Sequence, residues 1–282
     1  MAKMEIYKGM PAVFKRKDGN FEIKLLVTGG MLTPEQMKKV SEVSEKYGNG
    51  DIRLTVRQEF AIFGIPESKL DSALAELAEV GLVPGSAGPK IRNVTSCIGG
   101  EYCFKAAATD TTSLAKEIGA RFSEENVPGP LKIGISACPY PCTRPQFNEI
   151  GLMGRVKPDL NIDDCTGCGI CVEVCKTGAT SLVDGFANID YDKCIMCGRC
   201  VINCPEGARY AKDVGYIMFV GGRGGWPPYE GKILHNLISS DKIIPQIERI
   251  VKVYQERGEK GKRMKEFIDK IGFEEFKKSV GI

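Results

Sequence analysis

Cysteine spacing constrains this sequence more than any other feature. Eight of the twelve cysteines fall in two runs, CTGCGICVEVC (165–175) and CIMCGRCVINC (194–204), and both runs have the pattern CxxCxxCxxxC. In a reducing compartment so many cysteines seldom form disulfides, and closely spaced thiolates are typical metal ligands. The sequence therefore predicts a metal-binding segment around which the rest of the chain must fold.

The repeated run resembles that of bacterial ferredoxins with two [4Fe–4S] clusters. In that pattern three cysteines surround one cluster, and the fourth begins the next helix and reaches the other cluster. The resemblance implies one cluster held by Cys165, Cys168, Cys171 and Cys204, and another held by Cys194, Cys197, Cys200 and Cys175. A pair of zinc sites is the alternative, but structural zinc sites take their four ligands as two pairs.

The segments outside the cysteine block alternate between strand and helix patterns. FEIKLLVTGG (21–30) and DIRLTVRQEFAIFGI (51–65) are predicted to be strands, the second with the alternation of a half-buried strand. Thr33, Pro34 and Gln36 form the N-terminal signature of a helix, and a second helix is expected from Ser68 onward. The pattern favours an α+β fold whose first part is a ferredoxin-like layer.

Later segments continue this alternation. We predict a helix over 112–125, strands over 131–137, 148–156 and 215–222, and a helical C-terminal part over 241–279. Composition changes at Asp159 and changes back after Ala211, which indicates an insertion. The predicted domains are a ferredoxin-like half-domain (1–66), a second α+β domain (67–157 and 212–282) and an inserted two-cluster ferredoxin domain (158–211).

Composition excludes several classes of protein. The apolar fraction of 43%, the charged fraction of 27% and the net charge of +3 are those of an ordinary globular protein without a nucleic-acid partner. No apolar run suits a signal peptide or a membrane span, so we expect a cytoplasmic protein. His235 is the only histidine, which excludes a bis-histidine haem, and we expect it to be structural.

Four cysteines remain outside the two runs: Cys97 and Cys103 in CIGGEYC, and Cys138 and Cys142 in CPYPC. The first gap is too wide for an ordinary zinc pair. A third [4Fe–4S] cluster fits the four thiolates better.

CxxxxxC followed by CxxxC resembles the cluster-and-sirohaem motif of sulfite and nitrite reductases. RLTVRQEF (53–60), IRNV (91–94), CPYPCTRPQFNEIGLMG (138–154) and FVGGRGGWPP (219–228) resemble other segments of that family. Together they cover most of the chain outside 159–211. The resemblance implies a sirohaem coupled to the third cluster, with Cys142 bridging the cluster and the sirohaem iron.

The resemblance also implies the residues that bind sirohaem, namely Arg53, Thr55, Arg57, Arg92, Arg144, Arg223 and Cys142. Sirohaem is a polycarboxylate, and guanidinium groups pair with carboxylates through two parallel hydrogen bonds. Arg53 and Arg57 are predicted to share one face of a single strand.

For the substrate, the family resemblance implies two arginines and two lysines that attract an anion and supply protons. Arg92 and Lys132 match two of them. The second lysine position is Gly134, and the other arginine is missing near Leu26, where Lys24 is the expected substitute.

We predict six-electron reduction of sulfite to sulfide, because the fused ferredoxin segment resembles the anaerobic and dissimilatory-like members of the family. Reduction of nitrite to ammonia is the first alternative. A non-catalytic iron–sulfur subunit is the second, and Gly134 in place of the lysine is what favours it.

The length of the chain indicates which protein partners to expect. Larger members of the family carry two copies of the sirohaem module, and this chain has room for one. We therefore expect self-association or a related subunit, together with a low-potential electron donor protein.

Overall fold

The computed structural model describes residues 5–103, 110–123 and 125–282. Its N-terminal unit is an antiparallel sheet of five strands in the order β1-β2-β3-β5-β4, with two helices packed against it. The strands are β1 Ile6–Tyr7, β2 Met10–Lys15, β3 Phe21–Leu25, β4 Ile52–Leu54 and β5 Phe60–Ile65, and the helices are α1 Pro34–Tyr47 and α2 Leu70–Glu79.

Helix α1 begins as its sequence predicts. The Thr33 hydroxyl accepts a hydrogen bond from the Gln36 amide, and the Gln36 side chain accepts one from the Thr33 amide, at 3.2 and 3.0 Å. This reciprocal cap satisfies two of the amides that a helix leaves unpaired at its start. The N-terminal core continues through Leu82, past the predicted boundary at residue 66, because α2 packs into it.

The prediction of one strand over 51–65 is wrong. β4 and β5 are separate antiparallel strands joined by a tight turn, and Val56 in that turn is 98% exposed. The Thr55 hydroxyl accepts hydrogen bonds from the amides of Arg57 and Glu59, which stabilises the turn. Arg53 and Arg57 therefore do not share one strand face, because the chain reverses between them.

The second unit is a mixed sheet in the order β12-β11-β8-β7-β6, in which β6, β7 and β8 are parallel and the others antiparallel. Its strands are β6 Thr95–Ser96, β7 Ile133–Ser136, β8 Ile150–Leu160, β11 Arg209–Val220 and β12 Lys232–Ile238. Its helices are α3 Gly99–Tyr102, α4 Thr111–Phe122, α7 Ser240–Arg257, α8 Met264–Ile271 and α9 Phe273–Ser279. The predicted helical segment 241–279 is thus three helices, and their apolar faces close one large core with α4 and the sheet.

Strands β8 and β11 form a long antiparallel ribbon that extends beyond the sheet, with its last pair at Leu160 and Arg209. The segment 161–208 connects the two strands at this end. It contains α5 Ile170–Glu173, the antiparallel hairpin of β9 Thr180–Val183 and β10 Phe186–Ile189, and α6 Arg199–Ile202. The Val156 amide donates a 2.8 Å hydrogen bond to the Met196 carbonyl, which ties this segment back to the ribbon. Among the described residues, no helix is both long and apolar enough to cross a membrane.

Candidate functional site

Four cysteines meet at the end of β7, and we call Cys97, Cys103, Cys138 and Cys142 the core quartet. Cys97 and Cys103 pack against Ala137 and Cys138, and the Ala137 amide lies 3.1 Å from the Cys97 sulfur. Burial raises the pKa of the Cys138 thiol, and the charges of the other three cysteines raise it further. These three charges act on Cys138 only at short range, so the four thiols lie close together, although Cys97 and Cys142 are far apart in sequence.

The other eight cysteines line two cavities in the segment 161–208. One cavity is lined by the first quartet, Cys165, Cys168, Cys171 and Cys204. The other is lined by the second quartet, Cys175, Cys194, Cys197 and Cys200. The last cysteine of each run therefore lines the cavity of the other run. Gly167 and Gly169 adopt positive φ values of 69° and 79°, which let the chain turn tightly around the first cavity.

Among the described residues, no three or more His, Cys, Asp or Glu side chains are placed to hold a single metal ion.

Backbone amides point at sulfur atoms in all three quartets, and in the first quartet the Arg209 amide lies 3.4 Å from the Cys204 sulfur. Besides Ala137 and Cys97, the Ala179 amide lies 3.2 Å from the Cys175 sulfur, and the Met196 amide 3.4 Å from the Cys194 sulfur. Although burial opposes it, hydrogen bonds from Thr177 and Ala179 lower the pKa of Cys175 to about 7. Amide donors to sulfur stabilise the thiolate form that iron–sulfur clusters require. The donor set therefore fits such clusters.

A cationic group lies where the N-terminal unit meets the second sheet. Arg57 is half-buried and donates hydrogen bonds to the backbone carbonyl of Asn93 and to Asn148. Burial lowers the pKa of Arg57 to about 10. Arg92 donates to the Ser86 carbonyl at 3.0 Å, and burial also lowers its pKa.

Lys132 and Lys24 lie at the edges of this group. Burial lowers the pKa of Lys132; nearby Glu149 opposes that shift, and the charges of Arg57 and Arg92 add to it. Lys24 lies 3.8 Å from Glu22 and close to the buried carboxylate Glu59, which also faces Arg57 and Arg92. Arg57, Arg92, Lys132 and Lys24 are thus brought into one electrostatic group.

The structure does not bring the other predicted cations into this group. Arg53 is exposed on β4 and lines a separate cavity with Arg16 and Lys17. Arg144 is exposed, at a φ of 49°, beside the core quartet in sequence. Arg223 donates to the Tyr229 hydroxyl at 3.3 Å and lies 3.9 Å from Glu266. Thr55, the remaining predicted contact, uses its hydroxyl to hold the β4–β5 turn.

Two guanidinium nitrogens of the cationic group, the Nε atoms of Arg57 and Arg92, are buried and form no hydrogen bond with the described residues. The same holds for Nε of Arg223, outside the group. Unsatisfied buried donors are costly, and a bound polyanion would satisfy them. The residues present therefore fit a polycarboxylate such as sirohaem.

Sequence reasoning missed Glu149, Arg263 and Asn93. Glu149 is 1% exposed and accepts hydrogen bonds from Arg263 and from the Lys132 amide. Asn93 is fully buried and donates to the carbonyls of Val27 and Arg57, which joins the two units. The IRNV and NEIGLMG segments contain Asn93 and Glu149, but no spacing rule distinguishes these residues from surface polar residues.

The packing around position 134 accounts for the glycine there. A Cβ atom at this position would lie 2.5 Å from the Asn148 side-chain nitrogen and 3.4 Å from the Thr95 hydroxyl. A lysine cannot occupy the position in this arrangement unless Asn148 moves. The missing lysine is therefore linked to the packing of β7 against Asn148.

Comparison with known proteins agrees with this architecture. Residues 87–282 match the model of the nitrite and sulphite reductase 4Fe-4S domain, and residues 14–80 match the nitrite/sulfite reductase ferredoxin-like half domain. The chain is 38% identical to a coenzyme F420-dependent sulfite reductase of Methanocaldococcus jannaschii over 94% of its own length, but it spans only 43% of that protein. It is 34% identical to one subunit of the anaerobic sulfite reductase of Salmonella typhimurium, with 93% of this chain and 83% of the relative covered.

The fold has a solved counterpart. The crystal structure of a dissimilatory sulfite reductase superposes with a TM-score of 0.82 at 18% sequence identity, and the match covers 99% of this chain and 75% of the other. The two domain matches together account for most of the chain, and the Salmonella relative matches it along nearly its whole length. This chain belongs to the nitrite and sulphite reductase family.

Proposed function

We propose that this chain reduces sulfite to sulfide at a sirohaem, with electrons delivered through two ferredoxin-type [4Fe–4S] clusters to a third cluster at the core quartet. The carrying observation is that the parallel strands β6 and β7 are preceded by the cations Arg92 and Lys132 and followed by Cys97 and Cys138 of the core quartet, while two further quartets line cavities in the segment 161–208. Reduction of sulfite consumes six electrons and several protons, so the reaction needs both a chain of electron carriers and a proton source.

Each part of the site has a candidate role. Arg57, Arg92, Arg144 and Arg223 would pair with sirohaem carboxylates, and Cys142 would join the core cluster to the sirohaem iron. Support comes from the unpartnered Nε atoms of Arg57, Arg92 and Arg223. Sirohaem, when bound, supplies the iron at which the anion binds and is reduced.

Arg92, Lys132 and Lys24 would bind the anion and supply protons. A cationic site is required because sulfite is an anion and would otherwise be repelled by the carboxylates of the cofactor. Burial lowers the pKa of Lys132 below its ordinary value of 10.5, which makes its ammonium group a better proton donor near neutral pH.

We also propose that a second copy or a related subunit completes the assembly. The edge strand β4 leaves Leu54 and the adjoining turn residue Val56 exposed, at 68% and 98%. Exposed apolar residues on a sheet edge are typical of an interface. The Salmonella relative is by its name one subunit of a larger enzyme. A stable monomer with sirohaem bound, observed by analytical ultracentrifugation, would contradict this part of the proposal.

The experiment begins with the visible spectrum and cofactor extraction of anaerobically purified protein. Reduced dye is then titrated with sulfite and, separately, with nitrite. We expect an extractable sirohaem and dye oxidation by sulfite. Oxidation by nitrite alone would favour the ammonia-forming reaction, and clusters without sirohaem would favour the electron-transfer subunit.

A further inference from the structure

The ribbon of β8 and β11 carries an arginine near each junction between quartets. Arg209, the first residue of β11, is 2% exposed. One of its nitrogens, Nη2, donates to the Asn188 carbonyl at 2.9 Å, but Nε and Nη1 have no hydrogen-bond partner among the described residues. Arginine stays charged in proteins, and a buried charge without a counter-charge is costly. Arg209 therefore requires an anion nearby.

The groups around Arg209 are cysteines of two different quartets. Arg209 lines the cavity of the first quartet, and its amide lies 3.4 Å from the Cys204 sulfur. Helix α6, which contains Cys200 of the second quartet, packs against β11, whose first residue is Arg209, and the Arg209 charge acts on the Cys200 thiol. Arg209 thus lies between the first and second quartets.

Arg155, on β8, occupies the other junction. Strands β7 and β8 are parallel, and their last pair is Ser136 with Met153, so Cys138 and Arg155 each lie two residues beyond the same end of the pairing. The next residue on β8, Val156, forms a backbone bridge with Cys197 of the second quartet. Arg155 is therefore held between the core quartet and the second quartet by backbone geometry.

The electrostatics agree with this placement. Burial lowers the pKa of Arg155, and the charges that oppose the shift belong to Cys138 and Cys197. The Arg155 guanidinium otherwise donates to the neighbouring Gly154 carbonyl at 3.1 Å. Tyr140, between Cys138 and Cys142 in the chain, lines the cavity of the second quartet, so the same two quartets also adjoin on the loop side.

We propose that Arg209 and Arg155 are fixed counter-cations, Arg209 between the first and second quartets and Arg155 between the second and core quartets, and that each raises the midpoint potentials of the two clusters it separates. This inference rests on the proposed function, because it requires clusters in the quartets. Each one-electron reduction adds one negative charge to a cluster, and a nearby buried cation lowers the free energy of adding that charge. Arg155 and Arg209 act on the clusters through the thiolates that would bind them. They are therefore positioning residues and not catalytic residues.

The order of the three quartets follows from the same geometry. Arg155 and Val156 link the second quartet to the core quartet, and Arg209 links the second quartet to the first. None of these three residues links the first quartet to the core quartet. The first quartet is therefore the outer position, and the core quartet is the inner one.

The test is a redox titration of the full chain, purified anaerobically with its cofactors, with dithionite as reductant and electron paramagnetic resonance as readout. Arg155→Met is expected to lower the potentials of the core and second clusters and to leave the first unchanged. Arg209→Met is expected to lower those of the first and second clusters and to leave the core unchanged. We expect at least a threefold change in each one-electron equilibrium constant, about 28 mV at 59 mV per decade.

Charge-preserving variants are the matched controls. Arg155→Lys and Arg209→Lys should keep the potentials closer to those of the unsubstituted chain than the methionine variants do. Iron and acid-labile sulfide are measured in every sample to show that three clusters remain. If Arg209→Met does not fold, the variants Arg155→Met and Arg155→Lys test the inference by themselves, because Arg155 is only half-buried.

The outcomes separate this inference from the proposed function. Absence of clusters in the unsubstituted protein contradicts the proposed function. Three intact clusters whose potentials do not change in Arg155→Met, or change equally at all three, contradict the inference and leave the proposed function standing.

Discussion

Arg263, at the start of α8, donates to the carboxylate of Glu149, which lies 114 residues earlier at the start of β8, with an Nε–Oε1 distance of 2.7 Å. Glu149 is almost fully buried and also accepts the Lys132 amide at 2.9 Å. The pair therefore links the C-terminal helices to the strand that carries a predicted proton donor. Burial raises the pKa of Glu149, and Arg263 opposes this effect.

Replacing Glu149 by leucine should destabilise the protein, because it leaves the Arg263 charge without its partner. Loss of one member of a buried pair costs about 3–5 kcal/mol. The free energy of unfolding, from denaturant titration, measures the effect. The double variant Glu149→Leu with Arg263→Met is the control, and it should recover part of the loss. A single variant as stable as the unsubstituted chain would show that the pair is not structural.

Replacing Lys132 by methionine should lower sulfite turnover by about 10²–10⁴-fold if Lys132 supplies a proton. Sirohaem and iron content should stay the same, because Lys132 belongs to the cationic group and not to a quartet. Steady-state rates with reduced dye, together with cofactor analysis, check this. Lys132→Arg is the charge-preserving control. Equal turnover in Lys132→Met and the unsubstituted chain would remove Lys132 from the mechanism.

Cys142→Ser should disturb the coupling of the core cluster to sirohaem and leave the clusters of the first and second quartets in place. Cys142 is exposed at the rim of the core quartet, whereas the other two quartets line cavities of their own. Electron paramagnetic resonance and the visible spectrum report on the two parts separately. Full sulfite turnover in this variant would contradict the role of Cys142.

The burial of His235 predicts that the stability of the protein depends on pH. Burial lowers its pKa below 6.5, so between that lowered value and 6.5 the unfolded chain binds a proton that the folded chain does not. The stabilising contribution of His235 is therefore present above pH 6.5 and is lost as the pH falls.

Denaturant midpoints between pH 7.5 and 5.5, compared for the unsubstituted chain and His235→Gln, measure this contribution. The variant should lose less stability over this range. Carboxylates titrate in both proteins, so the difference between the two curves isolates His235. Identical curves would show that the pKa of His235 does not change on folding.

Much of the architecture was predictable because local rules determine it. The Thr33 and Gln36 cap, the strand before Cys138 and the change of composition near 159 and 211 each have a short-range signal in the sequence. The β4–β5 turn has no such signal in the sequence, because Val56 continues the apolar alternation of Ile52 and Leu54. The Thr55 hydroxyl and the positive φ of Gln58 reverse the chain there.

The site was predictable where spacing carries information and not where tertiary contacts do. The cysteine runs indicated which thiols line a common cavity. Glu149 and Arg263 meet only because β8 and α8 pack together, and the roles of Arg155 and Arg209 depend on the register of the ribbon. Such residues look like ordinary charged residues until the fold is known.

The central claim is that this chain couples three clusters and a sirohaem to the six-electron reduction of sulfite. The most direct measurement is the number of electrons taken from a reduced dye for each sulfide formed by the anaerobically purified protein. The account predicts six electrons per sulfide, with sirohaem present in the same sample. Absence of sulfide formation in protein that carries sirohaem and all three clusters would contradict it.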